Sequence, residues 1–220
     1  NALGERVAQR DAKGQLATYT YDALSRPIAR SEPEGTTTWI WGRPADNTAG
    51  SRVAGRLTQV SAPGHVEQYA YDGLGRPARW TMTADGSAYA YDFAYDGDGQ
   101  LASLTYPASV GGYRLKLGYE YAYGHLRRIR DHDSPATTFW RLEAVDAAGR
   151  LLDETRGASL RVITGVHPVT GEIEYRQSGI GGGAAVQNLT WSWDARGNLA
   201  ERGDLNRGVT ERFGYDALDR

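Results

Sequence analysis

A short turn motif recurs along the whole chain at intervals of 20 to 30 residues, and it constrains the fold more than any other feature. The best copies read YDALSR from Tyr21, YDGLGR from Tyr71 and YDALDR from Tyr215. A second breaker, usually glycine, follows about ten residues after each copy, and the runs between breakers have the length of strands. The sequence therefore predicts about nine β-hairpin repeats in a single array over residues 1–220.

The runs between turns alternate in the way that strands do. In SAYAYDFAY the aromatic residues from Tyr89 to Tyr95 share one face, and in RLKLGYEYAY the same alternation continues to Tyr123. No 3.6-residue period is sustained anywhere in the chain. An open sheet of about eighteen strands accumulates twist. The predicted fold class is therefore all-β, with repeated antiparallel β-hairpins that form a curved or spiralling sheet.

Each letter of the motif has a physical reason. The Asp can cap its own turn, the Gly takes a left-handed conformation, and the Arg can reach a carboxylate or carbonyl of the neighbouring repeat. The Tyr buries a ring and keeps a hydroxyl that needs a polar partner. We interpret the following residues as the structural repeat motif: Tyr21, Asp22, Arg26, Tyr71, Asp72, Gly75, Arg76, Tyr95, Asp96, Gly99, Asp146, Gly149, Arg150, Trp193, Asp194, Gly197, Tyr215, Asp216 and Arg220.

Composition excludes several classes of protein and partner. The formal charge of −2 gives no electrostatic case for nucleic acid, and no run of about 18 apolar residues could span a bilayer. The chain has no Cys, no signal peptide and no initiator Met. Since it also stops on a complete turn motif, we expect it to be a piece of a longer protein with a tendency to associate edge to edge.

Three residue patterns could suggest a metal, phosphate or catalytic site, but a structural role is favoured for each. Asp131, His132 and Asp133 are consecutive, so successive side chains point to opposite faces of a strand and all three do not converge on a metal. GIGGGAA, from Gly179, lacks the Lys-Ser/Thr of a phosphate-binding loop, and the four histidines lie in separate repeats. The sequence predicts no catalytic residue, no cofactor and no metal, and therefore no enzyme.

The three best motif copies resemble the YD repeats of bacterial Rhs proteins, of the C components of insecticidal toxin complexes and of teneurins. Degenerate copies start at Tyr95, Val145 and Trp193. The resemblance implies a segment of a hollow YD-repeat shell that encapsulates and presents a C-terminal toxin or effector. It also implies partners, namely the rest of the shell, the enclosed toxin and a secretion-system or receptor component. The location that it implies is secreted or cell-surface, as part of a larger exported bacterial protein.

The chain departs from the family pattern at one point, and this limits the activities that the resemblance implies. The toxin-type relatives have an Asp-Pro self-cleavage signature, and this chain contains no Asp-Pro. Neither a protease role nor a toxin activity is therefore expected of these residues. The alternative is an adhesion module that binds carbohydrate or a receptor through its aromatic face or its turns, and an enzyme ranks third.

Overall fold

The computed structural model describes residues 1–220 and is built of antiparallel strands. It contains eighteen strands, one 3₁₀ turn at Pro44–Asp46 and no α-helix. The chain divides into two compact units, Asn1–Lys116 and Leu117–Arg220, which we call the N-terminal and the C-terminal unit. The predicted all-β hairpin fold is confirmed.

The N-terminal unit contains nine strands, and each pairs antiparallel with the next. Their bounds are β1 Ala8–Arg10, β2 Leu16–Tyr21, β3 Pro27–Glu32, β4 Gly35–Trp41, β5 Leu57–Ala62, β6 His65–Tyr71, β7 Pro77–Ala84, β8 Ser87–Tyr95 and β9 Leu101–Thr105.

The remaining nine strands form the sheet of the C-terminal unit, again with each strand antiparallel to the next. Their bounds are β10 Lys116–Ala122, β11 His125–Asp131, β12 Thr138–Val145, β13 Leu151–Arg156, β14 Leu160–Val166, β15 Ile173–Ile180, β16 Gln187–Trp193, β17 Leu199–Asp204 and β18 Val209–Arg212.

The two faces of the N-terminal sheet differ in chemistry. The register places Tyr69, Trp80 and Tyr91 directly opposite one another across β6, β7 and β8, so their rings share a face. The opposite face carries small and polar side chains, with Gln68 paired to Thr81. The aromatic face that the alternation predicts is therefore present in these strands.

Neither unit builds a hydrophobic core of the usual kind. Leu142 and Val162 are the buried hydrophobic residues, and Ser103, Glu154 and Ser178 are the buried polar ones. No large side chain is completely buried. Most strand residues are half-buried, as expected of a single layer of sheet that no helix or second sheet covers.

Candidate functional site: the turn ladder

The clearest copy of the repeat turn runs from Tyr71 to Arg76 and connects β6 to β7. The Asp72 carboxylate accepts hydrogen bonds from the backbone N–H groups of Leu74 at 2.9 Å and Arg76 at 2.8 Å. The Asp72 carbonyl accepts a further bond from Gly75 N–H at 2.9 Å. Gly75 has a φ of 76°, the left-handed region that favours glycine. One carboxylate thus satisfies amides that have no partner in the sheet at the reversal of the chain.

The same cap occurs in eight turns, where a side-chain oxygen accepts from the amides two and four residues further on. The capping residues are Asn1, Asp11, Asp22, Asp72, Asp96, Asp146, Asp194 and Asp216. Asn1 and Asp11 cap without belonging to the predicted motif, because no YD pair marks them. We call these eight turns, together with the aromatic side chains described below, the turn ladder.

In five of these turns the capping bonds favour the ionised carboxylate and lower its pKa, namely at Asp22, Asp72, Asp146, Asp194 and Asp216. At Asp22 the main cause is the Arg26 side chain, whereas at Asp146 it is the backbone N–H four residues further on. Burial raises the pKa of Asp72, but the amide and the side chain of Arg76 outweigh this effect and leave the pKa below its ordinary value. These five turns are therefore held by carboxylates that are charged at neutral pH.

The motif arginine pairs with the Asp of its own turn, and the expectation that it reaches a carboxylate or carbonyl of the neighbouring repeat is wrong. Arg26 lies 2.6 Å from Asp22, and its guanidinium lies over the Trp41 ring of the next repeat, 5.0 Å from the centroid. In a later copy, Arg76 lies 4.2 Å from the centroid of Tyr95. Contact with the next repeat is thus a cation–π interaction. The same ion pair within the turn forms at Arg76–Asp72, Arg150–Asp146 and Arg220–Asp216.

The aromatic residue that precedes the turn donates a hydrogen bond to the previous repeat. The Tyr71 hydroxyl lies 2.6 Å from the carbonyl oxygen of Leu57, two residues after the turn glycine Gly55. Six bonds follow this pattern, namely Tyr21 to Arg6, Trp41 to Pro27, Tyr71 to Leu57, Tyr95 to Pro77, Trp193 to Ile173 and Tyr215 to Leu199. In all six the acceptor lies two residues after the turn residue of the preceding repeat that has a positive φ. These turn residues are Gly4, Ser25, Gly55, Gly75, Gly171 and Gly197. Tyr and Trp interchange here because each has a donor at the far end of its ring, which Phe lacks.

A β-bulge accompanies these aromatic residues. Between β6 and β7 the pairing shifts from Ala70–Arg79 to Tyr71–Pro77, which leaves Ala78 unpaired. The same shift precedes Tyr21, Trp41, Tyr95 and Trp193. Because a bulge interrupts the ladder of backbone hydrogen bonds, a side-chain donor that supplies a nearby carbonyl supports the sheet there. The extra residue lies on the strand that follows the turn, so the strand that carries the aromatic residue keeps its own alternation.

Two repeats depart from the motif, and the structure shows how each turn closes. Tyr123 and Gly124 form a two-residue hairpin with φ values of 53° and 79°, so no capping carboxylate is needed. The prediction that Tyr123 continues an aromatic face is wrong, since it lies in this turn and is fully exposed. At the longer turn before Gly171, His167 takes the place of Asp and its Nδ1 accepts from Thr170 N–H at 3.1 Å.

An inserted loop explains why one copy of the motif reads YDG instead of YDA. The loop of residues 43–55 folds over the turn that begins at Tyr71, and Arg52 N–H donates to the carbonyl of the capping Asp at 3.0 Å. A Cβ atom on Gly73 would lie 2.9 Å from the carbonyl oxygen of Ala49. Gly97 occupies the equivalent position in another copy, and a Cβ atom there would have open space. Gly73 is therefore required by packing.

A polar cluster lies on the aromatic face of the N-terminal unit. Glu67 accepts hydrogen bonds from Tyr69 and, at 3.1 Å, from Trp80 Nε1, and His65 Nε2 lies 2.8 Å away. The Tyr69 bond is the main cause of a lowered Glu67 pKa, while burial raises the pKa of Tyr69. Trp80 stacks on Tyr91 with centroids 5.0 Å apart and an interplanar angle of 13°. The cluster joins three strands and has no nucleophile beside a base.

The Asp131–His132–Asp133 pattern, considered above as a possible metal site, makes hydrogen bonds that stabilise a loop. Asp131 accepts from the amides of Asp133 and Ser134 and closes a loop, while His132 lies 2.9 Å from Asp133. No group of three or more His, Cys, Asp or Glu side chains converges in a geometry that could hold a metal ion. The structure contains no helix of the length and apolarity needed to cross a bilayer.

Comparison with known proteins relates the chain to RHS repeats. The family model described as RHS Repeat matches residues 1–37. No curated protein matches the chain. Among solved structures, the crystal structure of TcdB2-TccC3-Cdc42 matches with a TM-score of 0.75 and 16% identity, covering 97% of this chain and 12% of that one. The crystal structure of TcdB2-TccC3 matches with a TM-score of 0.72 and 16% identity, covering 92% and 11%.

A third match is the Photorhabdus luminescens Tc holotoxin pore, with a TM-score of 0.59 and 13% identity, covering 92% of this chain and 12% of that one. The chain thus spans about an eighth of the length of the solved chains that it matches. These findings confirm the resemblance to Rhs/YD repeats and the repeated-hairpin fold.

Proposed function

We propose that this chain is a wall segment of an Rhs/YD-repeat shell that encapsulates and presents a C-terminal toxin or effector. The solved structures of similar fold contain TcdB2-TccC3 or a Tc holotoxin pore, which makes a toxin complex the natural context. In this proposal the partners are the remainder of the shell, the enclosed cargo and a secretion-system or receptor component. The chain acts in a secreted or cell-surface protein, as one array over residues 1–220.

The observation that carries the proposal is the lack of a core. A compact protein of 24.0 kDa exposes about 9,900 Å², whereas this chain exposes 14,028 Å². The area per residue is thus well above that of a self-contained domain. A single layer whose faces differ in chemistry suits a wall, since one side can meet cargo while the other meets water.

The turn ladder supplies the cohesion that such a wall needs. The most complete repeats combine a capped turn, an ion pair within that turn and an aromatic donor that reaches the previous repeat, as in Asp72, Arg76 and Tyr71. The cap and the ion pair close each turn, and the aromatic donor joins neighbouring repeats, so together they hold a sheet without a packed interior. We assign the motif residues this structural role and no catalytic one.

Protease protection of the downstream region tests the proposal. The longer protein that contains this chain would be treated with a non-specific protease, and the same downstream region would be expressed alone as the control. Enclosure predicts rapid digestion of the free region and survival of the region inside the longer protein. Digestion at equal rates in both, with the repeats still folded, would reject encapsulation.

One observation favours the adhesion alternative. Tyr89, opposite Met82 on the face that carries Trp80 and Tyr91, is 40% exposed and offers a ring to a carbohydrate. A glycan array with the purified chain measures this directly. Binding that is lost in Tyr89→Ala and kept in Tyr123→Ala, an exposed turn residue, would favour adhesion, and a flat array would remove it.

A further inference from the structure

A second polar centre lies in the C-terminal unit, outside the turn ladder. Glu154 on β13 is only 3% exposed. Its carboxylate accepts from Trp140 Nε1 and from Arg156, each at 2.5 Å. Arg176 of β15 stands farther off, with its Nη2 3.7 Å from Glu154. One buried carboxylate therefore faces two guanidinium groups, and the nearer one holds it.

Arg176 is left with hydrogen-bonding capacity that nothing in the chain uses. Its Nε is buried and has no hydrogen-bond partner. The 3.7 Å separation from Glu154 is longer than a hydrogen bond, which spans about 2.7–3.2 Å. The Arg176 side chain is 36% exposed, so a carboxylate can reach the guanidinium although its Nε is buried, and a charge-assisted hydrogen bond there would be favourable.

This guanidinium lines a cleft of about 610 Å³ on the sheet. The size falls within the range of ligand sites, about 300–1,000 Å³. Apolar residues Leu160, Val162 and Leu189 line it, together with Arg156, Arg176 and Arg207. The register pairs Arg176 with Leu189 across β15 and β16, so an apolar surface lies directly beside the free guanidinium.

The charges at the cleft leave one positive charge in excess. Arg207 lies 3.6 Å from Asp204, which balances it, and Glu154 balances Arg156. The charge of Arg176 remains. The exposed end of the planar guanidinium can donate to a carboxylate, and a single excess charge matches a monoanion better than a phosphate dianion.

We propose that this cleft binds an acidic peptide, in which one extended segment presents a carboxylate side chain to Arg176 and apolar side chains to the cleft. In an extended peptide, residues two apart lie on the same face. A sequence with Leu two positions before and after Glu therefore fits both chemistries. The site does not depend on encapsulation.

A cleft beside Arg30 provides an internal control. Arg30 also has a buried Nε without a partner, but its cleft of about 290 Å³ is lined by Asp11, Glu32 and Glu34. A carboxylate ligand would be repelled there. Both arginines thus have a buried Nε without a hydrogen-bond partner, but the charges around the two side chains differ.

The test is an NMR titration that follows the arginine Nε–H signals of the ¹⁵N-labelled chain. The probe is the acetylated and amidated peptide Leu-Thr-Glu-Thr-Leu, with Leu-Thr-Gln-Thr-Leu and inorganic phosphate as comparison ligands. The Arg176 signal, assigned by its loss in Arg176→Gln, should shift saturably with the Glu peptide. The Arg30 signal should not move.

The measured peptide affinities distinguish binding at a specific site from non-specific electrostatic attraction. Arg176→Gln should weaken Glu-peptide binding about tenfold or more, and Arg176→Lys, which keeps the charge but loses the planar donor, should also weaken it. Arg30→Gln should leave it unchanged. Equal affinity for the Gln peptide, equal or tighter binding of phosphate, or an equal shift at Arg30 would each overturn the proposal. If Arg176→Gln does not fold, Arg176→Lys and the wild-type shifts decide the question.

Discussion

The aromatic donor at Tyr71 gives the sharpest test of the turn ladder, because a single oxygen atom can be removed. Tyr71→Phe keeps the ring and deletes the hydroxyl that lies 2.6 Å from the Leu57 carbonyl. A neutral hydrogen bond contributes a net of about 0.5–1.5 kcal/mol to stability. For a chain of this size each kcal/mol corresponds to roughly 2–4 °C in Tm. The expected fall is therefore about 1–6 °C.

Thermal unfolding followed by circular dichroism near 218 nm, the β-sheet signal, measures this change. Tyr89→Phe is the matched control, since Tyr89 lies in the same unit, is 40% exposed, and its hydroxyl is not part of the ladder. Its Tm should stay within about 1 °C of wild type, as is usual for exposed substitutions. An unchanged Tm for Tyr71→Phe, or an equal fall for Tyr89→Phe, would refute the role assigned to the hydroxyl.

A variant that carries both Tyr71→Phe and Tyr95→Phe tests whether two aromatic hydrogen bonds of the turn ladder contribute independently to stability. Tyr95 donates to the Pro77 carbonyl at 2.9 Å and shares neither donor nor acceptor with Tyr71. Independent sites usually add within about 0.5 kcal/mol. The double Phe variant should lose the sum of the two single losses, and a loss well above the sum would show that the two bonds form one cooperative unit.

Three further predictions concern packing, charge and pH. Gly73→Ala should lower Tm by several degrees, because its Cβ would lie 2.9 Å from the Ala49 carbonyl oxygen, whereas Gly97→Ala, with open space, should not. Glu154→Gln should cost about 1–3 kcal/mol by chemical denaturation, since it leaves Arg156 without its counter-charge, while Glu211→Gln at an exposed pair should cost less than about 1 kcal/mol. The capping residues Asp22, Asp146, Asp194 and Asp216 have lowered pKa values, so their contribution is complete above about pH 4 and is lost as the pH falls through those values; an acid titration of Tm that stays flat from pH 6 to pH 2 would contradict this.

Local chemistry accounts for what could be predicted from the sequence. Asp and Gly at fixed spacing form a turn through contacts within five residues, so the copy from Asp72 to Arg76 can be recognised from its letters alone. Strand length and alternation then follow from the distance between turns. These features depend on neighbours in the chain, which is why the hairpin repeats and the number of strands could be predicted.

The remainder depends on register, which the letters do not contain. The link from Tyr71 to Leu57 spans 14 residues and depends on the pairing of β5 with β6. The Trp140–Glu154 bond likewise joins two strands. No signal in a single sequence identifies the Glu among many acidic residues as buried. Comparison of the repeats could have found the aromatic hydrogen bonds of the turn ladder, since each of the six acceptors lies two residues after a turn residue with positive φ.

The choice of Tyr and Trp over Phe before the turns follows from the bulge. A bulge turns the strand sharply and interrupts the backbone ladder, and in a sheet with a core, packing would compensate for that loss. Here no large side chain is completely buried, so packing alone supplies little compensation. A ring with a polar tip contributes apolar contact along its length and a hydrogen bond at its end. The aromatic residues before the turns thus replace a core with links between neighbouring repeats, and stability should depend on the number of intact links more than on any one of them.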